Sequence, residues 1–241
     1  MRVIVCENYE ELSREAAKIV AAQVIVKPDS VLGLATGSTP EGMYAQLAEM
    51  HAAGELDFSG ITTFNLDEYY PIADENDQSY HYFMNKHLFS KINIKPENIN
   101  ILNGMAKNPQ EECASYDEKI IDAGGIDLQI LGIGQNGHIG FNEPAETLNA
   151  ETHLTSLTKS TIEANSRFFE KEEDVPTAAL TMGIRSILLS RKIVLLASGT
   201  SKHKVLKDLL EGGINTNIPA TMLNVHSDVI LICDKAAYSG K

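Results

Sequence analysis

The sequence predicts a doubly wound α/β domain, a mostly parallel sheet with helices on both faces, and three observations carry that expectation. Apolar runs of four to seven residues alternate with segments of helical period from end to end, the pattern of strands joined by crossover helices. Turn and cap signals fall between them, as at Thr39-Pro40 and Gly212-Gly213. No repeat or linker divides the chain, and 241 residues can fill one α/β core, so one domain over residues 1–241 is expected.

Arg2–Cys6 is the first expected strand, its β-branched Val3-Ile4-Val5 suited to a pleated surface. The amphipathic stretch Tyr9–Val26 follows as a helix, then the apolar run Ser30–Ala35 as a strand. Thr39 as N-cap and Pro40 at the first helical position open a helix over Pro40–Ala53. Strands are expected next at Thr62–Leu66, Ile99–Leu102, Asp127–Leu131, His153–Ser156, Ile193–Ala197 and Val229–Cys233. Helices are expected between them near Ser79–Ile92, Pro109–Ala123, Thr158–Phe169 and Ser201–Leu210, the last stopped by Gly212-Gly213.

A formal net charge of −13 argues against a phosphate-backbone partner, because nucleic-acid binders cluster Lys and Arg on one face. The apolar runs are strand-sized and Val3-Ile4-Val5 passes directly into acidic residues, so neither a signal peptide nor a membrane span is expected. Cys6, Cys113 and Cys233 are odd in number and widely spaced. They form neither a disulfide framework nor a zinc motif, which suits a reducing cytoplasm.

Ligands of open α/β sheets bind beyond the carboxyl ends of the strands, and four loops there are unusual. In Ala35-Thr36-Gly37-Ser38-Thr39-Pro40 a strand ends in a glycine turn and enters a helix. That is either an ordinary capped turn or a phosphate cradle of backbone N–H groups, hydroxyls and a positive helix end. Ser198-Gly199-Thr200-Ser201-Lys202 repeats the pattern, with Lys202 and Lys204 either solvated or set beside a bound anion, since a helix dipole disfavours cations there. Gly132, Gly134 and Gly137 match GxGxxG after a strand, but a polar segment closed by Pro144 follows instead of a helix. A dinucleotide site is therefore not expected.

The same glycine-rich turn presents His138 and Glu143 five residues apart. They are either solvated loop residues or a pair in which the carboxylate fixes the imidazole tautomer for acid–base work. Asp67 and Glu68 stand where the apolar strand Thr62–Leu66 ends, flanked by Tyr69 and Tyr70. A carboxylate in such a place, shielded from water, can serve as a general base, although surface acids are common; Glu68 is left as a surface acid or an orienting group.

Leu32–Pro40, Asn65–Tyr69, Gly134–Pro144, Ala164–Phe169 and Ala179–Gly183 together resemble the glucosamine-6-phosphate deaminase family, in order and over most of the chain. The most specific piece is Gly137-His138-Ile139-Gly140-Phe141-Asn142-Glu143-Pro144. The related 6-phosphogluconolactonases share the fold and a glycine-histidine loop that does not continue into Phe-Asn-Glu-Pro. The resemblance implies a cytoplasmic enzyme that needs no cofactor or metal and turns D-glucosamine 6-phosphate and water into D-fructose 6-phosphate and ammonia. It implies Asp67 as the base moving a proton from C2 to C1 through an enolamine, and His138, with Glu143 and Asn136, as the group that opens the pyranose ring. It implies Gly37, Ser38, Thr39, Arg167 and Lys202 as holders of the substrate phosphate.

Two departures from the family pattern bear on these expectations. Many members carry Asp where this chain has Asn136, and an amide cannot stabilise an imidazolium by charge. Allosterically activated hexameric members carry basic residues where this chain reads Thr152-His153-Leu154-Thr155, so the resemblance implies an unregulated monomer. The alternatives are a lactonase-like hydrolase, which needs no carbon base, and a sugar-phosphate sensor, which would need neither Asp67 nor His138.

Overall fold

The computed structural model describes residues 1–158, 161–162 and 175–241. In chain order its elements are β1 (Arg2–Cys6), α1 (Tyr9–Val26), β2 (Val31–Leu34), α2 (Ser38–Ala52), β3 (Thr62–Asn65), β4 (Asp67–Tyr70), α3 (Tyr80–His87), β5 (Ile99–Asn100) and α4 (Pro109–Asp122). There follow β6 (Leu128–Gly132), β7 (His153–Ser156), β8 (Ala178–Thr181), α5 (Ile184–Leu188), β9 (Lys192–Ala197), α6 (His203–Leu210), β10 (Val229–Asp234) and α7 (Lys235–Ser239). Short 3-10 turns fill several connections, among them Phe89–Lys91, Thr200–Lys202 and Pro219–Val225.

Seven strands form a parallel sheet in the order β1-β10-β9-β6-β2-β3-β5. β10 and β9 are interior strands, and Leu231 lies opposite Val3 on one side and Leu195 on the other. Val194, Leu195, Leu231 and Ile232 are fully buried, which is why these strands read as unbroken apolar runs rather than alternating ones. Each such side chain contributes roughly 1.5–3 kcal/mol of apolar burial.

The helices dock by the stripes that the sequence advertises. Asn8 caps α1 by accepting from Glu11 N at 3.0 Å, and Leu12, Ala16, Val20 and Val24 make its buried face. Asn108 caps α4 with Pro109 at its first turn, and α4 buries Cys113, Tyr116 and Ile120. The Tyr116 hydroxyl donates to Asn65 O at 2.8 Å and Asn100 O at 3.0 Å. The carboxyl ends of β3 and β5 are thereby pinned together.

A second, antiparallel sheet of order β4-β8-β7 was not legible in the sequence. The chain changes sheets at Leu66, whose N–H donates to Leu34 O at 3.0 Å and whose carbonyl accepts from Met182 N at 2.7 Å. Asp67 and Glu68 therefore do not sit in a loop after β3; they begin a strand, with Asp67 opposite Thr181. Other expectations shift at their ends. Helix α2 starts at Ser38 with Gly37 as cap, so Thr39 is not the N-cap and Pro40 is the third helical residue. The first-turn N–H groups of a helix have no intrahelical partner, so proline there removes no bond. The Ser79–Ile92 segment is helical only to His87 and then tightens into the 3-10 turn Phe89–Lys91. The helix expected over Thr158–Phe169 lies, beyond residues 161–162, outside the described residues.

Candidate functional site

A cleft of about 850 Å³ opens at the carboxyl edge of the parallel sheet, lined by Gly37–Thr39, Asp67, Asn136, His138, Lys202 and the face of α3. The sheet places its parts by topology: β2 delivers the Gly37 turn, β3 passes into Asp67, and β6 ends in the glycine loop that carries His138.

Asp67 is only 6% exposed, and Phe141 packs among Tyr69 and Tyr80 beside it, with ring centroids 4.9 to 6.2 Å apart. Burial, with the neighbouring Glu68 charge second, pushes its carboxyl from the usual 3.8 up to about 8. A carboxyl so raised is, once ionised, a stronger base than an ordinary surface aspartate.

The loop opposite is built from its glycines. Gly137 takes φ 90°, Gly137 N donates to Gly134 O at 3.0 Å, and Gly134 N donates to His138 O at 2.9 Å, which closes a tight turn under the histidine. A Cβ on Gly134 would lie 2.5 Å from the His138 ring, so the imidazole stacks on bare backbone. At Gly140, φ is 57° and a Cβ would lie 3.0 Å from Thr181 Oγ1 and 3.5 Å from Asp67 Oδ2. The missing side chain lets the loop close on the carboxylate. Asn142 anchors the loop from within, its Nδ2 donating to Ile139 O and Met182 O at 2.9 Å each.

Glu143 reaches back under this turn. Its Oε2 stands 3.4 Å from His138 Nδ1 and accepts from Asn136 Nδ2 at 2.7 Å, while the Thr161 hydroxyl donates to Oε1. Burial works to raise the Glu143 carboxyl, but the His138 contact and charge, then Thr161 and Asn136, outweigh it and hold it below the usual range. Asn136 accepts from the backbone N–H of His138 at 3.2 Å. It therefore acts on the imidazole through Glu143 and the main chain rather than by a direct bond to the ring.

At the other end of the cleft Gly37 has φ 94° and α2 has no side-chain cap. The first-turn N–H groups of Ser38 and Thr39 are thus left for an anion. The turn is braced from behind: the Tyr9 hydroxyl donates to Ser38 O at 2.8 Å and accepts from Gly42 N at 2.9 Å. Lys202 reaches the same cleft, its Nζ donating to Ile133 O at 2.7 Å.

The second expected cradle is only in part what the sequence suggested. The N–H of Gly199 is taken by the Asp234 carboxylate at 3.1 Å, and the Ser198 hydroxyl donates to it as well. Lys204 pairs with Asp208 at 2.8 Å on an exposed face. Lys202 is what this turn contributes to the cleft. Arg167, the remaining expected phosphate ligand, lies outside the described residues. Sequence reasoning missed Tyr80, Phe141, Thr161 and the α3 wall of Tyr82, Phe83, Lys86 and His87. Phe141 stood inside the glycine loop motif and could have been found; the α3 residues carry no local signal and arrive by tertiary packing.

Comparison with known proteins adds an independent line. Residues 7–231 match the family described as glucosamine-6-phosphate isomerases/6-phosphogluconolactonase. The chain is 57% identical to a glucosamine-6-phosphate deaminase of Halothermothrix orenii, over 99% of each chain. It is 56% identical to one of Clostridium botulinum, over 99% of this chain and 98% of the other. Among solved structures it superposes on a monomeric glucosamine-6-phosphate deaminase with a TM-score of 0.98 and 47% identity, all of both chains being covered. A 6-phosphogluconolactonase of Thermotoga maritima shares the fold with a TM-score of 0.77 at 23% identity, over 97% of this chain and 99% of the other.

Proposed function

The chain belongs to the glucosamine-6-phosphate isomerase/6-phosphogluconolactonase family, and on that premise we propose that it converts D-glucosamine 6-phosphate and water to D-fructose 6-phosphate and ammonia. The observation that carries this reading is a buried carboxyl at Asp67, raised to about 8, facing His138 across one cleft that ends in an uncapped helix N-terminus.

His138, steadied by Glu143 and Asn136, handles the proton of the ring oxygen as the pyranose opens. In the open chain Asp67 takes the C2 proton, the electron pair moves toward C1, the C1 oxygen takes a proton from the ammonium group on C2, and an enolamine forms. The same carboxyl returns a proton to C1, leaving an imine at C2. Water adds there, the C2–N bond breaks, and ammonia leaves with fructose 6-phosphate behind. One base on one face suffices for a shift between adjacent carbons. The Ser38 and Thr39 amides and Lys202 hold the phosphate, fixing C1 and C2 over Asp67.

Lactone hydrolysis by a related enzyme would need the histidine but no carbon base, and the burial of Asp67 favours the deaminase reading over it. A cytoplasmic monomer fits the same reading: no described helix is long and apolar enough to cross a membrane, all three cysteines are free and buried, and a net charge of −13 suits no nucleic acid. The test is to offer purified protein both substrates in the presence of a chelator. Ammonia release from glucosamine 6-phosphate is expected; lactone hydrolysis without ammonia would overturn the assignment.

A further inference from the structure

Glu68 is a carboxylate with no exposed surface, one residue from Asp67 and outside the cleft lining. Its Oε1 accepts from Tyr69 N and Tyr80 N, each at 2.9 Å. Its Oε2 accepts from His81 N at 3.0 Å and stands 2.9 Å from His81 Nδ1. Two of those donors are first-turn N–H groups of α3, and the Ser79 hydroxyl takes the next, from Tyr82 N at 3.0 Å. The start of α3 is thus tied to β4 by a single buried side chain. A buried charge persists only with such a set of donors, and breaking the set is costly.

What this tie holds in place is the dry side of Asp67. Tyr80, the first residue of α3, packs 4.9 Å from Tyr69 and stacks with Phe141 at an interplanar angle of 8°. Tyr69, Tyr80 and Phe141 line the cleft wall beside Asp67, which is only 6% exposed. Successive strand residues point to opposite faces, so Asp67 turns into the cleft while Glu68 turns toward α3.

Resting on the reading of Asp67 as the carbon base, we propose that Glu68 is a positioning residue for it, latching the first turn of α3 to β4 so that Tyr80 keeps water from the Asp67 carboxyl. The other titratable groups round Asp67 are Tyr69, Tyr80, Tyr116 from α4 and, across the cleft, His138 and Lys202. His81 and Asp74 reach it only through Glu68, Asp74 Oδ1 standing 3.4 Å from His81 Nδ1.

The test follows the titration of Asp67 itself, by its side-chain carboxyl carbon resonance, identified by its loss in Asp67→Asn. It is run on the full chain as wild type, Glu68→Gln and Ser79→Ala. Glutamine sets an amide donor against the donors at Oε2, and alanine frees the third N–H of α3 without touching a charge. Wetting the carboxyl lowers its midpoint, by about one unit or more in Glu68→Gln and by about half a unit in Ser79→Ala. A folded Glu68→Gln protein with an unmoved midpoint overturns the proposal. So does a shift confined to Glu68→Gln, which would reduce Glu68 to a nearby charge. Should Glu68→Gln not fold, an unmoved midpoint in Ser79→Ala overturns it. Ammonia release is assayed on the same wild-type protein: its absence would remove the deaminase reading and leave the titration result standing.

Discussion

Asn136 donates to Glu143 across 2.7 Å, and the carboxylate oxygen it holds is the one that faces His138 at 3.4 Å. The amide thus supplies a donor where a second acid would supply a charge. Replacing it, Asn136→Asp, sets two carboxyls against each other, and such a pair shares a proton. The acid side of the kcat profile is expected to move up by about one pH unit. A profile that stays in place would mean that Asn136 does not tune the ring-opening group.

Asp67 and Glu143 lie on opposite sides of the usual carboxylate range, and stability must follow with opposite signs. The Asp67 carboxyl is raised to about 8, so between its unfolded value and that point the native state binds the extra proton and stability falls as pH rises. Glu143 is lowered; its contribution is present above its unfolded value and lost as pH falls through its folded one. Denaturant titration of Asp67→Asn against wild type should therefore show the variant gaining on the order of a few kcal/mol more at pH 9 than at pH 5. An equal difference at both pH values would contradict the raised carboxyl.

Gly134 leaves no room for a side chain, its absent Cβ lying 2.5 Å from the His138 ring. Gly134→Ala must displace the imidazole. A 1 Å misplacement of a catalytic group costs about 100-fold, so kcat should fall by about that much while binding of a phosphorylated sugar changes little. Equal losses in both would point to collapse of the loop instead.

Lys202 reaches the cleft with its Nζ on Ile133 O. Lys202→Ala should weaken phosphorylated sugars by roughly 1.5–3 kcal/mol, the worth of a charged hydrogen bond, and leave the unphosphorylated sugar unaffected. An unchanged KM would make Lys202 a structural tie to Ile133.

The contrast between what was legible and what was not has a physical pattern. The parallel sheet announced itself because strands such as Lys192–Ala197 and Val229–Asp234 are buried on both faces and read as apolar runs. The antiparallel sheet hid because Asp67-Glu68-Tyr69-Tyr70 alternates a cleft acid with a buried one, and Ala178–Thr181 is only four residues long. At the site, His138 and Gly37 were visible through glycine spacing, which is local. Glu68 could be left only as a surface acid or an orienting group, because its four donors come largely from α3, twelve and thirteen residues away. Lys204, which the sequence left between solvation and a bound anion, is the partner of Asp208 one helical turn on.

The central claim is that Asp67 moves the proton between C2 and C1, and the direct measurement is hydrogen exchange at C2 of glucosamine 6-phosphate in deuterated water, with ammonia release followed on the same samples. Wild-type protein should release ammonia and exchange or transfer the C2 hydrogen. Asp67→Asn should still bind the sugar phosphate but lose both, falling by about 10²–10⁴-fold, the range of a single acid–base group. Ordinary ammonia release by Asp67→Asn would contradict it.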